Sequence, residues 1–370
     1  MERSHKIRMY PNKEQEIMLK KTAGVARFAY NHMLTEWNRQ YEEFSGGRLT
    51  ERPTAYLLKK QWNATKPDFA REVYSGAPTQ AILNLGAGFT NFFRHKSARP
   101  TYKKKGRNTE GFYVANDKGA YADGRVRVPN VGWVKLAEPL RFTGKIMAYH
   151  ISTYAGQWHV AVNLSTDTGK AVAEHKTICG IDVGLKTPAI CSDGTVLKTP
   201  GQLKELYRKL KREQRLLSRK QYKSNNSNKQ LIKKQKVQQR VSNIRTDAVH
   251  KFTTAVCKNH TTVVIETLSI EPMKRAAGYQ SFRQAFQQST MHEIHRQLKY
   301  KAVELIPAPA FYPSTQLCSS CGARKDMPLD VREYICQHCG LRIDRDLNAA
   351  LNLMKIGAVG AESNACRDPL

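Results

Sequence analysis

The sequence predicts a multidomain α+β protein: an antiparallel β-barrel holding a helical insertion, followed by an α/β domain that carries a four-thiolate metal clip. Three observations predict it. Residues 111–165 break into short alternating runs separated by turn dipeptides. Two later strand-like runs, Ile181-Asp182-Val183-Gly184 and Val263-Val264-Ile265-Glu266, end on or beside a carboxylate. Finally, Cys318-Ser-Ser-Cys321 and Cys336-Gln-His-Cys339 form a pair of CxxC knuckles, with Asp344-Arg-Asp346-Leu-Asn348-Ala-Ala directly after them.

The chain has 370 residues, room for two or three cores, and its 40% apolar and 25% charged composition is that of a globular protein. It contains no run of 18 apolar residues, which argues against a membrane span, and Met1-Glu-Arg-Ser-His-Lys-Ile-Arg8 lacks the apolar stretch of a secretion signal. The formal charge of +30 is self-repelling and makes sense beside a polyanion, so nucleic acid is the expected partner and no membrane is. Four cysteines fall in the knuckles. The others, Cys179, Cys191, Cys257 and Cys366, read as small buried hydrophobes in a reducing compartment.

Along the chain, residues 5–10 alternate as a strand, and Pro11-Asn-Lys-Glu14 opens a helix broken by Ser45-Gly-Gly-Arg48. A second helical block covers 54–95, with Ser75 or Thr79 as a cap. A basic extended segment follows, Arg94 to Arg107, in which Tyr102, Lys103, Lys104 and Lys105 are candidate nucleic-acid contacts. Strands at Phe112, Arg125–Val128, Trp133, Lys145–Ile151 and Trp158–Val162, with Asp123-Gly124 and Ala155-Gly156 as hairpin turns, describe a small barrel. The strand at 5–10 could complete it.

From residue 177 the pattern becomes α/β: strands at Ile178–Val183, Thr187–Ser192 and Thr195–Lys198, helices over 203–258 broken at Asn225-Asn-Ser-Asn228, a strand at Thr261–Leu268 and a helix at 280–304. An extended segment from Ile306 leads into the knuckles, and the last helix, Leu347–Ile356, is expected to stop at Gly357. Between Lys204 and Arg240 there are fourteen Lys/Arg against two Glu, so Lys211, Arg212 and Arg215 join the candidate nucleic-acid contacts.

Thiolates at CxxC spacing sit on a tight turn that aims both sulfurs at one ion, and two such turns close a tetrahedral shell of about 2.3 Å radius, suited to one structural Zn²⁺. Cys318, Cys321, Cys336 and Cys339 fill that shell without His338. The carboxylates are a different matter. A lone Asp near a helix start is usually a cap. Asp182 and Glu266, however, sit in apolar strands where a charge needs a partner or a cation. With Asp346 they form a candidate set for divalent metal ions and phosphodiester chemistry.

Together, Gly180-Ile-Asp182-Val-Gly, Val264-Ile-Glu266-Thr-Leu, the four-cysteine ribbon and Asp344-Arg-Asp346-Leu-Asn348-Ala-Ala-Leu-Asn352 resemble the RuvC-type nuclease of TnpB proteins, insertion-sequence relatives of type V CRISPR effectors. Tyr10-Pro-Asn-Lys-Glu-Gln, Arg27-Phe-Ala-Tyr-Asn31, Phe92-Phe-Arg with Pro100-Thr-Tyr-Lys-Lys-Lys, and Ser314-Thr-Gln-Leu-Cys318 extend the resemblance over most of the chain. Thr267 departs from it, since the family often has Asp after the catalytic Glu. The resemblance implies an RNase H-like (RuvC) nuclease domain with an inserted zinc ribbon. Asp182 would bridge two Mg²⁺, with Glu266 and Asp346 each holding one side, and Asp344 would cap. It also implies a guide RNA from the transposon end and double-stranded target DNA beside a short flanking motif.

The expected domains are a wedge-like barrel (1–12 and 96–170), its helical insertion (13–95), the nuclease domain (171–312 and 342–357), the zinc ribbon (313–341) and a disordered tail (358–370). The expected location is the cytoplasm of a bacterium or archaeon, at the nucleoid. Two other functions compete with an RNA-guided endonuclease: a nuclease-dead guided repressor, and an RNase H-class transposase acting without RNA. The first would not need an intact Asp182/Glu266/Asp346 set. The second places its Glu last, whereas here Glu266 is in the middle.

Overall fold

The computed structural model describes residues 2–106, 110–166, 177–222, 224–267, 289–328 and 330–365. The chain divides into two compact units, 1–168 with 220–235, and 169–219 with 236–370.

The first unit is built on a seven-stranded sheet in the order β2-β6-β7-β1-β5-β4-β3. Its strands are β1 (Glu2–Tyr10), β2 (Gly111–Ala115), β3 (Ala120–Ala122), β4 (Arg125–Val128), β5 (Gly132–Leu136), β6 (Lys145–Tyr154) and β7 (Gln157–Ser165), and every pairing is antiparallel. The N-terminal strand is central: Glu2–Arg8 pair with β7, and Met9–Tyr10 pair with β5. Both predicted hairpin turns form. Asp123 and Gly124, then Ala155 and Gly156, all have positive φ, the geometry of the tight turns that match strand twist. The short strand β3 was not foreseen.

Between β1 and β2 lie α1 (Lys13–Ser45), α2 (Ala55–Thr65), a 3₁₀ turn at Asp68–Ala70 and α3 (Gly76–Phe93). Asn12 starts α1 with a capping box: its Oδ1 accepts from Gln15 N at 2.8 Å, and Gln15 Oε1 accepts from Asn12 N at 3.1 Å. Leu19, Ala23, Ala26, Met33 and Leu34 recur at helical spacing on the face that α1 buries, and Trp37 stacks on Phe89 of α3 with centroids 4.3 Å apart. These helices share one core with the inward face of the sheet.

The second unit has a five-stranded mixed sheet, β10-β9-β8-β11-β12. Strands β8 (Ile178–Asp182), β11 (Thr262–Ile265) and β12 (Glu304–Pro307) run parallel, whereas β9 (Ala189–Cys191) and β10 (Val196–Leu197) turn back as a meander. The segment at Ile306 is therefore a fifth strand rather than a plain extension. Its Pro307 is tolerated because β12 is an edge. Helices α4 (Gln202–Ser218), α5 (Asn225–Asn259, of which residues up to 235 belong to the first unit), α6 (Met291–Lys301) and α7 (Arg345–Ala365) follow in chain order. The break between α4 and α5 precedes Asn225, because Ser224 Oγ accepts from Ser227 N at 3.0 Å and starts the helix there. Cys179, Cys191 and Cys257 are buried apolar residues of this core, as expected; Cys366 lies outside the described residues.

Helix α7 does not stop at Gly357 but continues to Ala365, through most of the expected tail. The glycine serves packing rather than termination. A Cβ at Gly357 would lie 2.7 Å from Val264 Cγ2 and 2.8 Å from Ile178 Cγ2. The reciprocal contact is Gly180 on β8, where a Cβ would stand 2.0 Å from Ala350 O and 2.4 Å from Met354 N. The helix therefore lies flush on β8 and β11, backbone against backbone. Gly180→Ala is expected to lift α7 off the strand at a cost of about 2–3 kcal/mol. Hydrogen exchange reads the result as lost protection of β8 and α7 amides; protection equal to the parent would show the contact to be slack.

Among the described residues, no helix is long and apolar enough to cross a membrane.

Candidate active site and metal clip

The parallel register pairs Ile181 with Ile265, so Asp182, the last residue of β8, and Glu266, the residue after β11, emerge side by side at the same sheet end. Asp182 is buried, at 8% exposure. Its carboxyl is held well above the ordinary carboxylate range, first by burial, then by the negative charges of Glu266 and Asp346, with Arg345 pulling the other way and Asp344 adding to the rise. The three predicted carboxylates thus share one electrostatic field. Burial also raises Glu266, and the Ser314 hydroxyl, donating to its Oε1 at 2.7 Å, opposes that rise. Thr267, the departure from the family pattern, donates its hydroxyl to Ala308 O at 2.7 Å and so ties the end of β11 to the end of β12.

Asp346 lies in the first turn of α7 and accepts from Arg332 Nη1 at 3.2 Å. Asp344 caps: its Oδ1 accepts from the backbone N–H groups of Asp346 and Leu347 at 2.9 and 3.0 Å. That frees Asp346 from the role a helix-start Asp ordinarily takes. Asp182 is buried, Glu266 is half-buried and Asp346 is close enough to add to the Asp182 rise, so three hard oxygen donors of the kind divalent cations take are neighbours by charge; among the described residues only the four cysteines are gathered within reach of a single ion.

The clip is equally well formed. All four Sγ atoms of Cys318, Cys321, Cys336 and Cys339 lie within 4.8 Å of one another, and Cys318–Cys339 and Cys321–Cys336 are each 3.6 Å apart. A tetrahedron of sulfurs about 2.3 Å from a zinc ion has edges close to that. The two knuckles fold alike. Gly322 N donates to Cys318 O and Gly340 N to Cys336 O, both glycines at positive φ, and Cys318 N and Cys336 N donate to Ala323 O and Leu341 O. The Leu341 N–H also draws the Cys339 thiol down to about 6, toward the thiolate a metal needs. His338 is exposed and outside the sulfur cluster.

Clip and carboxylates are joined without a linker. Strands β13 (Glu333–Ile335) and β14 (Arg342–Asp344) form the ribbon hairpin, and β14 passes directly into α7. Asn348 holds the first knuckle, accepting from Ser319 N at 2.9 Å and donating to Leu317 O at 2.7 Å. Asn352 donates to Leu317 O and Ser314 O, and Arg345 Nη1 donates to Pro328 O at 2.9 Å. Hence the spacing Asp344, Asp346, Asn348, Asn352: two residues serve the site and two bind it to the ribbon.

Of the candidate nucleic-acid contacts, Lys211, Arg212 and Arg215 are exposed on one face of α4 with Arg208 and Arg219. Tyr102, Lys104 and Lys105 are exposed, while Lys103 turns inward, its ammonium 4.0 Å from the Tyr30 ring centroid and its pKa lowered by burial. Sequence reasoning missed Ser314, Arg332 and the strut of Arg345, whose partners are distant in the chain.

A five-stranded mixed sheet with carboxylates at one strand end and a four-cysteine clip just ahead of the adjoining helix defines an α/β protein with a candidate metal clip. Comparison with known proteins sharpens this. The OrfB_IS605 family model, described as "Probable transposase", matches residues 159–277, a "Helix-turn-helix domain" model matches 1–46, and a "Cas12f1-like, TNB domain" model matches 292–353. Residues 1–46 contain a strand and one long helix, so that description does not apply to the geometry here. The "Putative RNA-guided DNA endonuclease InsQ" of Escherichia coli (strain K12) is 31% identical over 95% of this chain and 91% of its own. A protein from Streptomyces pristinaespiralis, also named for RNA-guided DNA endonuclease activity, is 29% identical over 100% and 92%. Among solved structures, a Cas12f1–sgRNA–target DNA complex shares the fold, with a TM-score of 0.59 and 14% identity over 96% of this chain and 98% of that one. The chain belongs to the OrfB family of IS605 elements, also called TnpB.

Proposed function

We propose that this chain is an RNA-guided DNA endonuclease that cuts target DNA beside a short flanking motif. The observation that carries the reading is the shared field of Asp182, Glu266 and Asp346 at one sheet end. The relatives' names and the +30 charge support it. Two divalent ions, Mg²⁺ by their preference for carboxylate oxygen, would activate a water and neutralise the leaving oxygen in an in-line displacement.

The protein's own part is to hold the ligands. Asp182, which feels the charge of both others, would be the carboxylate shared between the ions. Glu266 is oriented by the Ser314 hydroxyl and Asp346 by the Arg332 guanidinium. Burial makes Asp182 and Glu266 reluctant to ionise without a cation. Zinc held by the four cysteines would have no open coordination position and so would be structural.

On this reading residues 171–312 and 342–357 form a RuvC-like nuclease domain with a ribbon at 313–341, and residues 1–12 and 96–170 form a wedge-like barrel around the insertion at 13–95. The guide is RNA from the transposon end, and the complex works at the nucleoid in the cytoplasm. The Asp, Glu, Asp order along the chain disfavours a transposase acting on DNA alone, despite the family model's description.

The test is to express the chain beside its native downstream DNA and sequence the copurifying RNA. The expected result is one discrete species with a constant scaffold and a 3′ end running past the element boundary, which directs Mg²⁺-dependent cutting of a matching duplex. A smear of host RNA, with strand transfer by the protein alone, overturns the reading.

A further inference from the structure

The outward face of the first-unit sheet carries a pattern that the nuclease chemistry leaves unused. Along β1, β4 and β5, inward residues are buried, and the residues between them, Arg8, Tyr10, Arg125, Arg127, Trp133 and Lys135, are exposed. The register makes a compact grid. Tyr10 pairs with Lys135, Lys135 with Arg125, and Trp133 with Arg127. No carboxylate alternates into this part of the face, and among the described residues its four cations form no ion pair.

Two features make the pattern costly for a bare protein. Lys135 and Arg125 stand directly opposite each other, a like-charge cross-strand pair that destabilises the sheet. Tyr10 and Trp133 remain 47% and 44% exposed, so neither gives its full apolar area to the core. Diagonal neighbours on adjacent strands lie about 7–8 Å apart, enough to receive one base between two rings or two bases in succession. The Arg8 guanidinium lies 4.8 Å from the Tyr10 ring centroid, and Gln15 Nε2 donates to the backbone carbonyl of Trp133 at 3.0 Å, which fixes the strand that carries the second ring.

We infer that this face is a stacking platform for unpaired bases, with Tyr10 and Trp133 under the bases and Arg8, Arg125, Arg127 and Lys135 on the flanking phosphates. Exposed aromatics interleaved with cations on a sheet suit a single strand, whose bases offer π-faces that a duplex conceals. The occupant is an unpaired segment of the guide RNA. That choice rests on the proposed function: the RNA must be held before any target arrives, whereas the cut DNA strand must reach the carboxylates of the other unit.

Trp133 is a built-in probe, because Trp37, Trp62 and Trp158 are buried. Without added Mg²⁺, where cutting is not read, a single-stranded oligouridine is expected to quench its emission in the full chain. Trp133→Ala and Tyr10→Ala should each weaken oligouridine binding roughly 5- to 150-fold, while Trp133→Phe stays within about threefold and all three keep the parent melting temperature. Ultraviolet crosslinking of the full chain, loaded with its copurified RNA and a matching duplex, then identifies the occupant. A ribonucleotide adduct on the peptides holding Tyr10 or Trp133 supports the platform. A deoxyribonucleotide adduct there, no adduct, equal quenching by an RNA duplex, or unchanged binding by both alanine variants overturns it. A chain that binds oligouridine in this way but never cuts keeps the platform and loses the nuclease reading.

Discussion

Asp182→Asn is expected to abolish DNA cutting, by on the order of a thousandfold or more, while RNA binding stays at the parent level. Asp182 is the carboxylate most deeply embedded among the others, so its loss removes the bridging position rather than one flank. A second readout separates this from mere damage. The folded-state pKa of Asp182 lies above its unfolded value, so ionising it opposes folding. That cost grows as pH rises through the unfolded value and is complete above the folded one. Asparagine carries no such cost. Without added Mg²⁺ at neutral pH the variant should therefore melt no lower than the parent, and added Mg²⁺ should raise the melting temperature of the parent alone. A variant that cuts, or one that loses RNA together with activity, removes Asp182 from its assigned place.

The second large effect is expected from Cys336→Ser. This thiol is buried, with its sulfur 3.6 Å from that of Cys321. Structural zinc supplies folding free energy directly, so the ribbon should loosen as zinc is lost. The damage should reach the nuclease, because β14 runs into α7 without a spacer and Arg332, on the ribbon, holds Asp346. A displacement of about 1 Å at a catalytic group can cost about a hundredfold in rate. The measurement is zinc per chain against cutting rate across the series parent, Cys336→Ser and parent treated with chelator. Zinc loss at full cutting rate would show that the clip and the carboxylates are independent.

Much of this was legible in the sequence because it is local. CxxC spacing encodes a knuckle by itself, Asp123-Gly124 and Ala155-Gly156 encode their turns, and Asp182 and Glu266 stood out as charges in apolar runs. What escaped depends on register between distant segments. Gly357 looked like a helix stop because glycine commonly is one; only its contact with Val264 and Ile178 shows it as a packing residue in a longer helix. Strand β12 is recognisable as a strand only once it pairs with β11. Ser314 stood in a segment of the family resemblance but with no role attached, and Arg332 gave no signal, since a hydroxyl or guanidinium gains meaning from the carboxylate it meets. The Tyr10–Trp133 grid was likewise hidden, as its two halves lie more than a hundred residues apart.

The central position of β1 bears on how the chain is made. Glu2 must wait for Ser165, and Tyr10 for Lys135. At about 5–20 residues per second of synthesis, that delay is roughly 10–30 s. Helices α1 to α3 contact one another over short chain distances and emerge well before either sheet neighbour of β1 exists. Non-local strand pairing is also the slow class of folding event. The strand of this unit that is made before the others is thus the last to find its place, and the helical insertion is what spans the interval.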